Sequence, residues 1–412
     1  RFMLQKDFKP VLRFLAVSDI HFPDEEDSKE HKYFKRALEL AYRIAESHET
    51  YKKIDAVYVV GDFATSGSRT QMLSFKAALD NGLKPETERT LMMASHEFHG
   101  EGGEEGALER FSEIFNMPPD DHKVINGFHF ISLTTTNGCN FSDEKVNWAK
   151  EQLKKARADG KKKPIFFFQH PHISGTVYGS INWGEDALYP VLAAFPQVID
   201  FSGHSHAPIN DPRSVHQKHF TSFGTGSFRY FELDEFDKIY GTIPPHSERC
   251  AQFLIVEADE NGRVRVYPYD VITENFFPYT WEVDEPWNPD SFKYTDERYK
   301  TTVAPYFDSD FEITFSDVTE NGFKITFPQA KIERDYVDDY LIRVREEETG
   351  LIATQAAIWS EYYFYDMPKT LSHTFSELEP DTKYTVEIIA GSFWKTKTAS
   401  NKFKIKTSNC QR

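Results

Sequence analysis

The chain contains 412 residues, which is enough for two or three domains, each with its own hydrophobic core. Its formal net charge of −17 and its pI near 5.4 argue against a nucleic-acid-binding surface and against an anionic membrane as a partner. Three cysteines without CxxC spacing argue against a zinc cluster and a disulfide framework. No apolar run reaches the ~18 residues of a membrane span, so we predict none. Small phosphorylated substrates stay possible for an acidic chain, because a bound metal supplies local positive charge.

The first half of the chain alternates apolar runs with segments of helical periodicity, a pattern typical of an α/β domain. The predicted strands are Val11–Val17, Ala56–Val60, Thr90–Met93, Phe128–Leu133, Ile165–Phe168 and Val198–Phe201. The predicted helices lie around Tyr33–Ile44, Gln71–Leu79, Leu108–Phe115, Ser142–Ala156 and Ala187–Phe195, with Ser142 as an N-cap.

Helical periodicity fades in the second half, where short strands dominate. A first domain is predicted over residues 1–283, and a stretch rich in Pro, Asp and Tyr predicts a linker over residues 284–307. Alternating runs then predict a separate small all-β sandwich over residues 308–412. Its predicted strands are Phe311–Phe315, Gly322–Phe327, Tyr340–Val344, Tyr384–Ile389 and Phe403–Lys406.

Residues able to bind a metal follow five of the predicted strands in the first half. A single His or Asp after a strand is most often an ordinary loop residue, but sites in open α/β sheets gather at the carboxyl ends of strands. Five such strand ends in one α/β segment therefore predict one shared site. The residues are Asp19, His21, Asp62, Ser95, His96, His170, His204 and His206.

The last of these strand ends shows how the ligands would converge. Residues two apart in an extended chain point to the same side, so His204 and His206 can face one site, and Gly203 lets the backbone turn off the strand. Imidazoles suit borderline metals such as Mn, Fe, Zn, Co or Ni. Two divalent ions about 3.5–4 Å apart can clamp an in-line displacement at phosphorus. The mixture of Asp and His therefore predicts two divalent transition-metal ions and phosphoryl chemistry.

Over about residues 11–230, the order and spacing of these residues resemble those of the calcineurin-like metallophosphoesterases. The resemblance implies a four-layer α/β/β/α sandwich with a dinuclear metal centre. It also implies hydrolysis of a phosphomonoester or phosphodiester by metal-bound hydroxide, with a small phosphorylated substrate. The matching motifs are Asp19-x-His21, Gly61-Asp62, His96-Glu97, His170 and Gly203-His204-x-His206.

Carried over position by position, the resemblance implies a role for each residue. Asp62 would bridge the two ions, and His96 would stabilise developing charge and protonate the leaving oxygen. Thr65 stands where purple acid phosphatases, a related branch, have a tyrosine ligand, which argues against an Fe(III)–tyrosinate centre. One ion would be bound by Asp19, His21 and His206, and the other by His170 and His204.

One position departs from the family pattern. The third family motif reads Gly-Asn-His-Asp/Glu, whereas this chain reads Ala94-Ser95-His96-Glu97. The family Asn ligates the second metal, and the shorter Ser95 predicts a weaker second site. Three interpretations stay open: an active enzyme with a loose second metal, a degenerate scaffold that acts as a binding or adhesive protein, or a deliberate substitution. We favour the enzyme, because the other ligands and His96 are present.

Further residues are candidates for substrate contact. His172 follows His170 by two, and Arg229 follows the last motif and would face a phosphate. Tyr178 and Trp183 lie in a glycine-containing loop, and in this family such loops shape the substrate pocket. An ordinary loop histidine and a surface arginine are the alternatives for His172 and Arg229.

The C-terminal region resembles a fibronectin type III domain over roughly residues 308–408. Tyr384 would be the corner tyrosine, and Phe327 stands at the position of the usual strand-B tryptophan. Such modules contact proteins or glycans and commonly accompany export in bacterial enzymes. We therefore expect an extracellular or cell-envelope location, with the cytoplasm as the alternative. The chain begins with Arg1 rather than Met, which agrees with a removed leader or a trimmed start. The resemblance rests on Leu378-x-Pro380-x-Thr382-x-Tyr384-x-Val386.

Overall fold

A computed structural model describes residues 3–410, which divide into two compact units. The first unit comprises the chain up to Asp234 together with His246–Asp296. The second comprises Glu235–Pro245 together with the chain from Glu297 onward. No sequence pattern indicated that the short excursion Glu235–Pro245 belongs to the second unit.

Within the described residues, two large β-sheets, one short two-stranded pair and five α-helices form the first unit. The helices are α1 (Lys29–Ser47), α2 (Arg69–Gly82), α3 (Gly103–Phe115), α4 (Asp143–Asp159) and α5 (Tyr189–Leu192). The strands up to the last metal motif are β1 (Pro10–Val17), β2 (Ala56–Val60), β3 (Glu88–Met92), β4 (Asp121–Ile125), β5 (Phe128–Ser132), β6 (Ile165–Phe168), β7 (His172–Ile173), β8 (Gly184–Glu185) and β9 (Val198–Ser202). The others are β10 (Val215–Gln217), β11 (Thr221–Gly224), β12 (Gln252–Asp259), β13 (Val264–Asp270), β14 (Asn275–Phe276) and β15 (Trp281–Val283).

Both large sheets combine parallel and antiparallel strands. The first has the order β14-β13-β12-β1-β2-β3, with β15 paired to β13; its strands β1, β2 and β3 are parallel, and the others are antiparallel. The second has the order β10-β11-β9-β6-β5-β4; its strands β11, β9, β6 and β5 are parallel, and both edge strands are antiparallel. Parallel strands are buried on both faces, which explains why β2 and β6 consist of apolar residues throughout.

Three hydrophobic cores produce four layers, as the sequence predicts. Helices α1, α2 and α3 pack on the first sheet through side chains such as Phe34, Phe75 and Phe111. The second sheet packs on α4 and α5 through residues such as Leu153. Between the sheets, Phe14 contacts the rings of Tyr58, Phe130, Phe166, Phe168 and Phe201 at centroid distances of 4.9–6.2 Å.

Serine caps fix the starts of three helices. Ser28, Ser68 and Ser142 each accept a hydrogen bond from the backbone N–H three residues later, which confirms the predicted cap at Ser142. The predicted helix Ala187–Phe195 is wrong in length, since only Tyr189–Leu192 is α-helical. Pro190 is tolerated only within the first turn, and Pro196 ends the segment.

Two sheets form the second unit, a fibronectin-like sandwich. One has the order β16-β17-β20, and the other has β19-β18-β21-β22 with β23 paired to β21. The hydroxyl of Tyr384 accepts a hydrogen bond from Glu379 N at 2.9 Å, which confirms the predicted corner. The strands are β16 (Thr314–Ser316), β17 (Phe323–Pro328), β18 (Val337–Glu346), β19 (Ile352–Trp359), β20 (Thr370–Phe375), β21 (Lys383–Ser392), β22 (Lys397–Ala399) and β23 (Phe403–Lys406).

A buried lysine holds the excursion Glu235–Pro245 within the second unit. Lys238 Nζ lies 2.9 Å from Asp339 and 3.0 Å from Glu235, and its side chain is fully buried. Ile239 N donates to Ala357 O at 3.1 Å. The predicted linker 284–307 is divided between the units and contains two short 3₁₀ turns. Within residues 3–410, no helix has the length and apolar character needed to cross a membrane.

Replacing Phe14 should destabilise the packing between the two sheets. Phe14→Ala removes a fully buried ring from the centre of the aromatic cluster, so we expect the free energy of unfolding to fall by about 3–5 kcal/mol. Urea unfolding of the full chain measures this change. Val124→Ala, at an exposed position of β4, is the control and should change it by less than about 1 kcal/mol. An equal effect of the two substitutions would contradict this account of the core.

Candidate metal centre

Loops that follow parallel strands bring the candidate ligands of the first unit together. Asp19 N donates to Gly61 O at 3.1 Å, and His21 N donates to Asp62 O at 3.0 Å. The loops after β1 and β2 are therefore tied to each other directly. The loops after β1, β2, β6 and β9 carry Asp19, His21, Asp62, His170, His204 and His206.

A first cluster consists of Asp19, His21 and His206, whose candidate ligand atoms lie within 4.8 Å of one another. His206 Nε2 is 3.2 Å from Asp19 Oδ1, and His21 Nε2 is 3.1 Å from His206 Nε2. Asp19 Oδ2 accepts hydrogen bonds from Ser18 Oγ at 2.6 Å and His204 N at 3.1 Å. These bonds occupy Oδ2 and leave Oδ1 facing the histidines.

Asp62 takes part in two further clusters. His170 Nε2 lies 3.0 Å from Asp62 Oδ2, and His96 Nε2 lies 4.0 Å from the same oxygen. His96 N donates to Asp62 Oδ1 at 3.1 Å. Asp62 is thus the carboxylate common to both clusters. The clusters are Asp62 with His170 and His204, and Asp62 with His21 and His96.

Backbone carbonyls fix the tautomers of three histidines. A carbonyl only accepts, so a neutral ring bonded through Nδ1 carries its proton there and turns an unprotonated Nε2 towards the site. The contacts are His170 Nδ1 to Val60 O at 2.6 Å, His206 Nδ1 to Tyr230 O at 3.0 Å and His96 Nδ1 to Thr65 O at 2.6 Å.

The charges of the site suit a cation. Burial raises the pKa of Asp19 and Asp62, but the nearby His170 outweighs it and keeps both pKa values well below the usual range. Burial lowers the pKa of His21 to about 4, and burial with His170 lowers that of His204 to about 4. Asp19 Oδ1 and His170 Nε2 are buried without a hydrogen bond. Burial opposes a charge on His170, but the same carboxylates raise the pKa of His170 to about 10, so without a metal ion its ring carries a balancing positive charge. A divalent ion held by these carboxylates and imidazoles would replace that proton.

Backbone strain is concentrated in these loops. Asp19, His21, Asp62, His204 and His206 all have positive φ, between 51° and 77°. Non-glycine residues rarely adopt this conformation, and such residues cluster at functional sites. Neighbouring contacts must therefore hold the ligand loops in place.

Two glycines allow the loops to approach closely. A Cβ at Gly61 would lie 2.7 Å from the ring of His170, and one at Gly203 would lie 2.4 Å from Asp19 Oδ2. Gly203 has no positive φ, so the close approach to Asp19, rather than its own backbone conformation, requires a glycine there.

Comparison with known protein families identifies the two parts of the chain. A family model for calcineurin-like phosphoesterases matches residues 12–208, which include every residue of the three clusters. Residues 12–208 form a calcineurin-like phosphoesterase domain. A fibronectin type III domain follows at residues 309–402. Both predicted resemblances are confirmed.

Solved structures also match the chain. A purple acid phosphatase, PPD1 from yellow lupin (Lupinus luteus) seeds, is 15% identical with a TM-score of 0.48, and the match covers 66% of this chain and 53% of that one. The FN5 domain of Drosophila Lar is 16% identical with a TM-score of 0.19, covering 26% of this chain and 99% of that one. The fn3 domain of human contactin 1 is 16% identical with a TM-score of 0.21, covering 27% and 86%. No curated protein matches the chain.

Membership of this domain family implies divalent metal ions, and the three clusters offer candidate ligands for them. Ser95 Oγ in the phosphoesterase domain lies 3.4 and 3.5 Å from the two carboxylate oxygens of Asp62. Ser95 therefore sits beside the shared carboxylate.

Glu97 organises the same region, a role that sequence analysis missed. It is fully buried and accepts backbone hydrogen bonds from Asp62 at 3.0 Å, Ala64 at 2.9 Å and Ala94 at 2.9 Å. Burial and the charge of Asp62 raise the pKa of Glu97 to about 8, whereas three N–H donors favour its ionised form. Glu97 thus joins the backbone of the second motif to that of the third. The sequence places Glu97 beside His96, but it does not show that the Glu97 side chain points towards these backbone N–H groups.

Aromatic rings lie against two of the candidate ligands. Trp183 meets His204 edge to face at 5.0 Å, and Tyr230 lies 4.3 Å from the His206 ring. Arg229 Nη1 is 3.2 Å from Thr65 Oγ1, close to the carbonyl that bonds His96. The structure therefore brings Trp183 beside His204 and Arg229 near His96.

The remaining two substrate candidates have other contacts. The Tyr178 hydroxyl accepts from Asp234 N at 2.8 Å, and its ring lies 3.8 Å from the guanidinium of Arg213. His172 is buried, with Nδ1 2.8 Å from Ser202 Oγ and Nε2 2.7 Å from Ser205 Oγ. Both nitrogens of His172 are thus occupied within the protein, so the predicted substrate contact is withdrawn for this residue.

Glu97→Gln should weaken the support of Asp62. A glutamine amide offers one acceptor oxygen, so at least one of the three N–H groups would lose its partner, at a cost of about 1–3 kcal/mol. We expect a lower melting temperature and weaker Mn²⁺ binding, measured by calorimetry. Glu105→Gln, at an exposed position of α3, is the control and should change neither quantity. Unchanged Mn²⁺ binding by a folded Glu97→Gln protein would refute this role.

Proposed function

We propose that this chain is a metal-dependent phosphoric ester hydrolase acting on a phosphomonoester or phosphodiester. The observation that carries the proposal is the pair of buried carboxylates, Asp19 and Asp62, facing imidazole Nε2 atoms at distances of 3.0–3.8 Å. When bound, two divalent transition-metal ions would neutralise the phosphate and activate a water molecule. One ion would be held by Asp19, His21 and His206 and the other by His170 and His204, with Asp62 shared and Ser95 a weak contributor.

His96 is the proposed proton donor to the leaving oxygen. The Thr65 carbonyl accepts from its Nδ1–H, so the ring would donate from Nε2 only when Nε2 also carries a proton, and its side chain is 35% exposed. Arg229 is proposed to contact the phosphate, because its guanidinium contacts Thr65, the residue whose carbonyl bonds His96. Trp183 and Tyr178 are proposed to shape the substrate pocket, and Trp183 has the more direct support because its ring contacts His204.

A second function from another class is a phosphoesterase scaffold that acts as a binding or adhesive protein. Ser95 favours it, because a short hydroxyl stands where the family has a metal-binding Asn. The fibronectin type III domain supports contact with a protein or glycan and an extracellular or cell-envelope location. Turnover separates the two functions.

Hydrolysis of p-nitrophenyl phosphate and its bis-ester, with added Mn²⁺, tests the enzyme proposal. We expect turnover of at least one ester, loss of activity after chelation and recovery when Mn²⁺ returns. His204→Ala should abolish turnover and leave the far-ultraviolet circular dichroism unchanged. Absence of turnover by protein that binds two Mn²⁺ ions would favour the scaffold function.

Ser95→Asn tests the proposed weakness of the second site. An amide oxygen reaches further than the serine hydroxyl and is a better metal donor, so Mn²⁺ affinity and activity at limiting Mn²⁺ should both rise about tenfold. Ser112→Asn, at an exposed position of α3, is the matched control and should change neither. If Ser95→Asn lowers both affinity and activity, this account of Ser95 is wrong.

A further inference from the structure

His204 lies in an unfavourable backbone turn. Ser205 N donates to Gly203 O at 3.0 Å, a bond that spans only two residues, and φ of His204 is 77°. This combination is the rare, strained form of the γ-turn. His206 follows with φ of 57°. Two candidate ligands thus flank Ser205 in a segment that does not hold its shape by local preference.

The buried side chain of His172 contacts this turn. His172 Nε2 lies 2.7 Å from Ser205 Oγ, and Nδ1 lies 2.8 Å from Ser202 Oγ on β9. A neutral imidazole offers one donor and one acceptor, and a hydroxyl can be either, so both contacts can be satisfied together. His172 therefore connects the end of β9 to the residue between the two ligands.

Other contacts enclose the same residue. A Cβ added at Gly179 would lie 2.5 Å from Ser205 Cβ, so the loop containing Gly179 covers Ser205 closely. Ala207 N donates to Ser205 Oγ at 3.2 Å. The backbone N–H of His172 donates to Trp183 O at 3.1 Å, in the loop whose indole contacts His204. Ser205 is thus fixed on several sides, and His172 is the side chain that reaches it.

We propose that His172 is a positioning residue for both metal sites. Through Ser205 it holds the strained turn that sets the separation and direction of His204 and His206. This inference rests on the metal-binding role proposed above, in which the two histidines serve different ions. Loss of His172 should therefore weaken both ions together, whereas a change at Ser95 should affect one.

Mn²⁺ titration of metal-free protein by isothermal calorimetry gives the first test. His172→Leu should weaken both binding steps about tenfold or more, as loss of a supporting contact does at other metal sites. His172→Gln can still reach Ser205 and should retain more affinity than His172→Asn, which can reach only Ser202. His129→Leu is the matched control. His129 is also buried with both ring nitrogens bonded, but lies near the amino end of β5.

The result that overturns the proposal is wild-type Mn²⁺ affinity in folded His172→Leu, or equal weakening by His129→Leu. Ser205→Ala provides an independent arm if His172→Leu does not fold. It should weaken Mn²⁺ binding, and adding His172→Asn, which removes the contact with Ser205, should have little further effect. Additive effects of the two changes would show that His172 does not act through Ser205.

Hydrogen exchange in metal-free protein separates this inference from the proposed function. Peptides covering residues 201–208 should exchange faster in His172→Asn and Ser205→Ala than in wild type. Their exchange rate should be unchanged in His129→Leu. Unchanged exchange in both site variants would overturn the positioning role. If wild-type protein binds no Mn²⁺, the proposed function fails, while the exchange result still decides whether His172 holds the turn.

Discussion

Two buried negative charges, on Asp19 and Asp62, are the constraint on which the first unit depends. Burying a carboxylate is costly unless donors or cations surround it. Ser18 and the backbone of His204 satisfy one oxygen of Asp19, and imidazoles surround the other. Residues 12–208 belong to a domain family that implies divalent metal ions, and such ions balance buried negative charges.

The packing of the two large sheets of the first unit brings Asp19 and Asp62 close together. Phe14 and its aromatic neighbours hold two sheets face to face, and parallel strands in each sheet end on one side. Loops after β1 and β2 are bonded to each other, and Gly61 and Gly203 allow the loops of the opposite sheet to approach within van der Waals contact. The candidate ligands thus lie in loops that follow buried parallel strands, and five of them have positive φ.

The strained backbone of the candidate ligands explains why residues that are not themselves candidate ligands support this site. Glu97 holds the backbone around Asp62 through three N–H bonds, and His172 reaches the turn between His204 and His206. Both act on ligands whose positive φ values are unfavourable without support. Supporting contacts of this kind hold candidate ligands in place before any metal binds.

The sequence by itself determined the α/β class, the strands that precede the candidate ligands, the two domain families and the candidate residues that the three clusters bring together, because periodicity and motif order are local properties. The tertiary structure alone decided the direction of each side chain. It placed His172 against Ser205, and it made Glu97 a backbone acceptor. It also assigned Glu235–Pro245 to the second unit. Hydrogen-bond partners far apart in the chain decide these features, and no local pattern records such partners. The short helix Tyr189–Leu192 is different, because Pro190 and Pro196 could have predicted it from the sequence.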